Sequence, residues 1–175
     1  MKIAICGLTG SGKNTLGELL ANELGYKLVC PTFKDLAAKE GISLMDFQKK
    51  AAKDPNIDKK FDQLLKEQAD EDCIITTWLG PWIVDADLKI KLFTPDEIRA
   101  KRVAKRDGVS EKDALLAMKT RDEQNHTRYM KLYKIDIYSD DIFDIKLNSG
   151  KYNPQELLRI VLEAIEVKKA GRKSC

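Results

Sequence analysis

The chain of 175 residues is poor in the residues that support several common kinds of active site. It has one histidine, His126, on which any Ser-His-Asp, Cys-His or H-E-x-x-H site would depend, and the neighbours that such sites need are missing. The cysteines at positions 6, 30, 73 and 175 form no C-x-x-C pair, which argues against a zinc knuckle or a disulfide framework and predicts reduced thiols. No stretch approaches 18 uncharged apolar residues, so we expect neither a transmembrane helix nor a signal peptide.

The overall composition is that of a folded domain. Hydrophobic residues make up 43% and charged residues 34%, with only ten glycines and five prolines, which excludes disordered, collagen-like and low-complexity classes. The length predicts a single domain over residues 1–175. A net charge of +3 is too small to indicate a nucleic-acid binder. We therefore expect a cytoplasmic monomer with a small-molecule substrate and with neither a nucleic-acid nor a membrane partner.

The order of local patterns predicts an α/β fold. A buried strand over 2–6 runs into a glycine-rich loop, a helix over 14–24 closed by Gly25, and a second strand over 26–30. Strands that alternate with helices, without hairpin turns, predict a five-stranded, mostly parallel sheet with helices on both faces, whose ligands bind at the carboxyl ends of the strands. The remaining predicted strands cover 73–77, 88–92 and 143–148, and the remaining helices 33–40, 43–53, a run from 54, 94–106, 110–133 and 153–169.

The loop after the first strand matches the phosphate-binding pattern G-x4-G-K. Its glycines permit the backbone conformations that turn successive N–H groups onto phosphate oxygens, and the following helix adds its dipole. Lys13 supplies a mobile charge to the β and γ phosphates. A glycine-rich turn without a ligand is the alternative, and the position between a predicted strand and helix favours nucleotide binding. The predicted nucleotide-binding residues are Gly7, Leu8, Thr9, Gly10, Ser11, Gly12, Lys13, Asn14 and Thr15.

Position 14 differs from the usual serine or threonine that touches magnesium in such loops. The amide oxygen of Asn14 or the hydroxyl of Thr15 is the possible protein ligand, and we expect Mg2+ to be held mainly through water. The chain has no N-K-x-D motif and no D-x-x-G switch motif, which argues against a GTPase.

Residues 99–134 carry all of the excess positive charge, with 11 Lys/Arg against 5 Asp/Glu. Phosphoryl transfer requires positive charge around the transferred group, and arginines on two successive helices predict a helical lid hinged at Gly108. The alternative is a solvated charged helix face. Lys13 and the lid arginines are the predicted catalytic residues: Arg102, Arg106, Arg121 and Arg128, with Arg99 on the same face as the first two.

Four further side chains are candidates for acceptor binding. Asp58 and Asp62 lie one turn apart on a predicted helix and would accept hydrogen bonds from a base or ribose, although a solvated face is an equal alternative. Trp78 and Trp82 flank a Gly-Pro turn, where they would either stack on a base or pack in the core.

The chain resembles the archaeal-type cytidylate kinases of the nucleoside monophosphate kinases over roughly residues 2–165. The resemblance implies a P-loop kinase fold, a helical acceptor-binding insert at 31–70 and a lid at about 106–130. It also implies transfer of the γ-phosphoryl group of ATP to CMP or dCMP with Mg2+. The stretches that carry it are 7–15, 54–58, 86–90, 99–102 with Arg106, 128–136 and 148–156.

Two positions depart from the pattern of that family. The family has an arginine after the second strand that holds the acceptor phosphate, and Lys34 is the best match to it and the substrate-binding candidate there. Trp78 stands where a second arginine is expected. Lysine keeps the charge without the bidentate fork, and tryptophan loses both. A nucleotide-binding assembly or regulatory factor, or a kinase for another small acceptor such as a shikimate-type or dephospho-coenzyme-A-type substrate, therefore remains open at this point.

Overall fold

A central sheet of five strands organises the computed structural model, which describes residues 1–173 and their side chains except those at 34, 44, 45, 48, 52, 53, 55, 172 and 173. The strand order is β2-β3-β1-β4-β5, and all four pairings are parallel. This confirms the predicted α/β class. The strands are β1 (Lys2–Gly7), β2 (Lys27–Val29), β3 (Cys73–Ile75), β4 (Leu88–Phe93) and β5 (Ile145–Asn148).

Eight helices connect or flank these strands. Most begin and end within a few residues of the predicted positions. The short α5 is an exception, because it begins at a Gly-Pro pair for which the sequence predicts only a turn. The helix expected to begin at Thr94 starts at Asp96, with Pro95 as its cap residue. The helices are α1 (Lys13–Leu24), α2 (Phe33–Glu40), α3 (Leu44–Lys53), α4 (Pro55–Gln68), α5 (Gly80–Ile83), α6 (Asp96–Asp107), α7 (Glu111–Tyr133) and α8 (Pro154–Lys173).

The core has two layers because neighbouring residues of a strand point to opposite faces of the sheet. Ile3 and Ile5 of β1 are fully buried in a cluster that includes residues of α1 and α8. Ala4, between them, belongs to a second cluster with Leu65 of α4 and Ile75 of β3. Helices therefore cover both faces of the sheet, and β1 is buried between them.

Helices α2, α3 and α4 lie between β2 and β3 in the chain and have a cluster of their own around Phe47 and Ile57. Each helix begins with a side-chain cap, which satisfies backbone N–H groups that a helix cannot pair internally. Thr32 forms a reciprocal capping box with Asp35, and Ser43 and Asp54 cap α3 and α4. These helices reach the core of the sheet through Leu65.

Helices α6 and α7 form a hairpin that turns at Gly108, whose φ of 69° is in the left-handed region. Val103 and Ala104 of α6 pack on Ala114 of α7 close to this turn. Helix α7 is 23 residues long, and the part beyond this packed end reaches the carboxyl ends of the strands.

None of the helices within residues 1–173 combines the length and the apolar character that a membrane crossing requires.

Candidate functional site

The loop between β1 and α1 has the backbone conformation that its glycines permit. Gly10 and Gly12 have φ values of 81° and 87°, which non-glycine residues rarely adopt. A Cβ atom at Gly7 would lie 2.8 Å from the carbonyl oxygen of Leu92, so a larger residue would push the loop away from β4. Glycine is therefore required here both for the turn and for the close approach of the backbone.

The first turn of α1 presents backbone N–H groups without a side-chain cap. Gly12 is the cap residue and contributes no hydrogen bond from a side chain, unlike the residues that cap α2, α3, α4 and α7. Free N–H groups and the positive end of a helix dipole together attract an anion. The loop and the helix start therefore fit a phosphate group.

A cleft of about 1360 Å³ opens beside this loop, at the carboxyl ends of β2 and β3. The end of the glycine-rich loop, the segments after the two strands, helix α4 and helix α7 all contribute to its walls. The lining residues that matter below are Lys13, Asn14, Phe33, Asp58, Asp62, Trp78, Arg106, Arg121, Arg128 and Tyr129.

Lys13 extends along the cleft towards Trp78. Its Nζ atom lies 5.6 Å from the centre of the Trp78 ring, within cation–π distance. Burial and the nearby charge of Arg121 lower the pKa of Lys13. An anionic ligand would oppose this lowering, because a negative charge next to the ammonium group favours its charged form.

The part of the cleft between α4 and α7 contains a buried carboxylate. Asp58 on α4 is almost fully buried, and its Oδ1 atom lies 3.6 Å from Nε of Arg128 on α7. The Arg128 guanidinium also lies over the rings of Phe33 and Tyr129, at 5.0 and 5.1 Å. The second carboxylate oxygen, Oδ2 of Asp58, is buried and has no hydrogen-bond partner among the described residues.

Asp62 lies one turn further along α4 and accepts a hydrogen bond from the hydroxyl of Tyr133 on α7. Burial is the main reason that the pKa of Asp62 rises to about 6, against the lowering effect of that hydrogen bond. Burial also raises the pKa of Asp58, although Arg128 opposes it. Two carboxyl groups are thus held in a partly dehydrated environment on one face of α4, which is not the solvated face considered in the sequence analysis.

The four predicted lid arginines do not form one cluster. Arg106 lines the cleft and forms a two-pronged ion pair with Asp107, and Arg121 lines the cleft close to Lys13. Arg128 instead pairs with Asp58. Arg102 lies outside the cleft, where it donates to the carbonyl oxygen of Ser149 at 2.6 Å and to that of Gly10 at 3.4 Å.

The remaining predicted site residues also lie partly in the cleft and partly elsewhere. Asn14 lines the cleft, and Thr15 is exposed on the first turn of α1. Trp82 packs edge-to-face on Phe143, with ring centres 5.3 Å apart, so its ring belongs to the core around α5. The side chain of Lys34 lies outside the described residues.

Two aspects of this region were not predicted from the sequence. Phe33 and Tyr129 line the cleft on either side of Arg128, although they lie far apart in the sequence. Arg99, expected beside the lid arginines, is buried in an ion pair with Asp122. The spacing of charged residues gave no sign of this pairing, because arginines on one helix face are equally typical of a solvated surface.

Comparison with known proteins shows the family to which the chain belongs. The model of the cytidylate kinase-like family matches residues 2–151. A cytidylate kinase of Archaeoglobus fulgidus is 38% identical over 174 residues, which cover 97% of each chain. A cytidylate kinase of Pyrococcus horikoshii is 40% identical over 168 residues, which cover 94% of this chain and 88% of that protein.

Solved structures show the same fold at lower identity. An uncharacterized protein from Eubacterium ventriosum has a TM-score of 0.72 at 22% identity, over 95% of this chain and 98% of that one. A shikimate kinase from Acinetobacter baumannii in complex with shikimate has a TM-score of 0.61 at 16% identity, over 96% and 94% of the two chains. With a family model matching most of its length and relatives near 40% identity, the chain belongs to the cytidylate kinase-like family and is a nucleoside monophosphate kinase.

Proposed function

We propose that the protein transfers the γ-phosphoryl group of ATP to CMP or dCMP. The observation that carries the choice of acceptor is the unpartnered, buried Oδ2 atom of Asp58 in the wall of the cleft. An ionised carboxylate accepts hydrogen bonds and donates none. It suits the 4-amino group of cytosine and does not suit the carbonyl oxygen that uracil has at the same position.

The donor nucleotide is assigned to the glycine-rich loop. Its phosphates would lie against the N–H groups of the loop and of the first turn of α1, with Lys13 reaching the β and γ positions. Mg2+ on the donor would neutralise phosphate charge. The described residues offer no group of three acidic, histidine or cysteine side chains for a metal, so phosphate oxygens and water would supply most ligands, with Asn14 or Thr15 as the protein contribution.

Transfer itself requires alignment and positive charge more than covalent chemistry. Lys13, Arg106 and Arg121 line the part of the cleft that borders the loop, and the charge on the transferred group would develop beside them. Arg128 is placed to orient the acceptor, because it links Asp58 to the aromatic side chains of Phe33 and Tyr129. The cleft walls from 31–70 and from about 106–130 are, in this proposal, the acceptor-binding insert and the lid.

Arg102 has a different place in the proposal. Its bonds to Ser149 and Gly10 put the guanidinium against the outer side of the loop. It would support the loop, and the contacts to the transferred group would fall to Arg106 and Arg121.

Initial rates with ATP, Mg2+ and CMP, dCMP, UMP, AMP, GMP, shikimate or dephospho-coenzyme A test the acceptor. We expect CMP or dCMP to have the highest kcat/KM. Turnover confined to a non-nucleotide acceptor would contradict the proposal. Tight ATP binding without turnover of any acceptor would instead indicate a nucleotide-binding assembly factor.

The Asp58→Asn variant tests the recognition of the base. Its amide adds donors that suit uracil, so the ratio of kcat/KM for CMP to that for UMP should fall about 10–100-fold, equivalent to one buried hydrogen bond gained or lost. The ratio removes any general effect of the lost Arg128 ion pair, since both acceptors would experience it. Asp70→Asn, an exposed acid that pairs with Lys27 outside the cleft, should leave the ratio unchanged.

A further inference from the structure

Two buried charged residues hold the main-chain N–H and C=O groups of Thr9. Its N–H donates to Oδ1 of Asp122 at 3.2 Å, and its carbonyl oxygen accepts from Nη1 of Arg99 at 2.9 Å. Arg99 also donates from Nη1 to Oδ2 of Asp122 at 2.6 Å, which closes the network. Arg99 is 4% exposed and Asp122 3% exposed, so water does not compete for these bonds.

Thr9 belongs to the glycine-rich loop, and the network fixes how that loop lies on α6. The next residue, Gly10, is so close to α6 that a Cβ atom there would lie 3.0 Å from the carbonyl oxygen of Arg99. The loop thus rests on the α6–α7 hairpin as well as on β1. Its orientation depends on a carboxylate from α7, 113 residues away in the sequence.

Asp122 directly follows Arg121 on α7. Arg121 lines the cleft close to Lys13, whereas Asp122 is buried against the loop. One turn of helix therefore carries both a cleft arginine and the residue that joins the helix to the phosphate-binding loop. A displacement of the Asp122 bonds would move Arg121 and the loop relative to each other.

We propose that Asp122 is a positioning residue of the kinase reaction, which sets the loop and Arg121 in register by holding the main-chain N–H of Thr9. Its two carboxylate oxygens are bound to Thr9 and Arg99, so it acts through the loop and not on a nucleotide. The inference rests on the proposed role of the loop in binding the donor phosphates. It adds a residue of α7 that holds this loop in place.

A purely structural role predicts different behaviour. A buried ion pair contributes little net stability compared with apolar side chains of similar size, whereas removal of one partner leaves the other charge uncompensated. Stability can thus be recovered when both charges are replaced together. The bond from the Thr9 N–H cannot be recovered in that way, because it requires an acceptor at position 122.

Three variants separate these roles: Asp122→Leu, the double variant Arg99→Met with Asp122→Leu, and the control Asp96→Asn. Asp96 is the other carboxylate bound to Arg99, but it is 43% exposed and makes no bond to Thr9. Measurements are kcat, acceptor KM, the ATP dissociation constant by fluorescence titration, Tm, and hydrogen exchange of the Thr9 amide by NMR.

We expect Asp122→Leu, which has no acceptor for the Thr9 N–H, to lower kcat about 10–100-fold, to weaken ATP binding about tenfold and to leave the acceptor KM within about threefold of wild type. Exchange of the Thr9 amide should accelerate at least about tenfold, as for the loss of a buried hydrogen bond. The double variant should regain part of the Tm that Asp122→Leu loses, because the uncompensated Arg99 charge is gone, and still have low kcat. Asp96→Asn should keep near-normal kcat.

The outcomes test the role of Asp122 separately from the proposed choice of acceptor. Every variant is compared with wild type on whichever acceptor wild type uses best, so an error about CMP leaves the comparison intact. Recovery of kcat together with Tm in the double variant would reduce Asp122 to a structural role and overturn the inference. If the double variant does not fold, or if no acceptor is turned over, unchanged Thr9 exchange and unchanged ATP affinity in Asp122→Leu would overturn it equally.

Discussion

The environment of Asp62 predicts a stability difference that depends on pH. Its pKa of about 6 in the folded protein compares with 3.8 as the ordinary value, and burial is the main cause. Because the folded state binds this proton more tightly, the contribution to stability is complete below pH 3.8 and is lost as the pH rises through 6. Asp62→Asn removes the titration, while its amide oxygen can still accept from Tyr133.

The size of the effect follows from the two pKa values. At about 1.4 kcal/mol per pKa unit, the proton on Asp62 stabilises the wild-type fold by about 2 kcal/mol at pH 4.5 and by almost nothing at pH 7.5. The free energy of unfolding of Asp62→Asn, relative to wild type, should therefore rise by about 2 kcal/mol between these pH values. For a chain of this length the same change is about 4–8 °C in Tm.

Urea unfolding of wild type and variant in parallel at pH 4.5, 6.0 and 7.5 measures this difference, since other titrating groups cancel at each pH. Tyr133→Phe is the matched control. It keeps the carboxyl group and removes the hydrogen bond that lowers its pKa, so its pH dependence should be at least as steep as that of wild type. A difference between Asp62→Asn and wild type that stays constant from pH 4.5 to 7.5 would refute the reasoning.

Two further predictions concern the part of the cleft beside the loop. Lys13→Ala should lower kcat by more than about 100-fold while Tm changes by only a few degrees, because the side chain extends along the cleft and the proposed function gives it the donor phosphates; near-normal steady-state rates would contradict the assignment of the loop. Trp78→Arg should lower the KM for CMP, because it adds a cation to the cleft wall where the proposed acceptor phosphate would lie. A KM that rises, in the same coupled assay, would show that the Trp78 ring itself contributes to acceptor binding.

The sequence predicts the fold well where local rules determine it. The glycine-rich loop identifies the end of β1 and the start of α1, and Asn153 with Glu156 marks the start of α8 through a reciprocal cap. The order of strands and helices then implies a parallel sheet. Only α5 was missed, because a four-residue helix at Gly80–Ile83 has too little periodicity to be distinguished from a turn.

The sequence predicts the residues of the glycine-rich loop well, and it predicts the surroundings of Asp58 much less well. Lys13 and the loop glycines are neighbours in the chain, so a short motif defines them. Asp58 on α4 lies beside Arg128, whose guanidinium lies over Phe33 and Tyr129, so α2 and α7 both contribute to its surroundings. Tertiary contacts of this kind leave no periodic signal, and a carboxylate pair on one helix face is more often solvated.

The position of β1 has a mechanical consequence for the enzyme. This strand has a hydrogen-bonded neighbour on each side, and three consecutive residues, Ile3, Ala4 and Ile5, are fully buried. The loop that it carries is thus anchored to a strand that is paired on both edges and covered on both faces. Helices α2 and α3 pack around a separate small cluster with Phe47. If the proposed function holds, the donor site is tied to the sheet, whereas a shift of α2 and α3 towards the acceptor would leave every strand pairing intact.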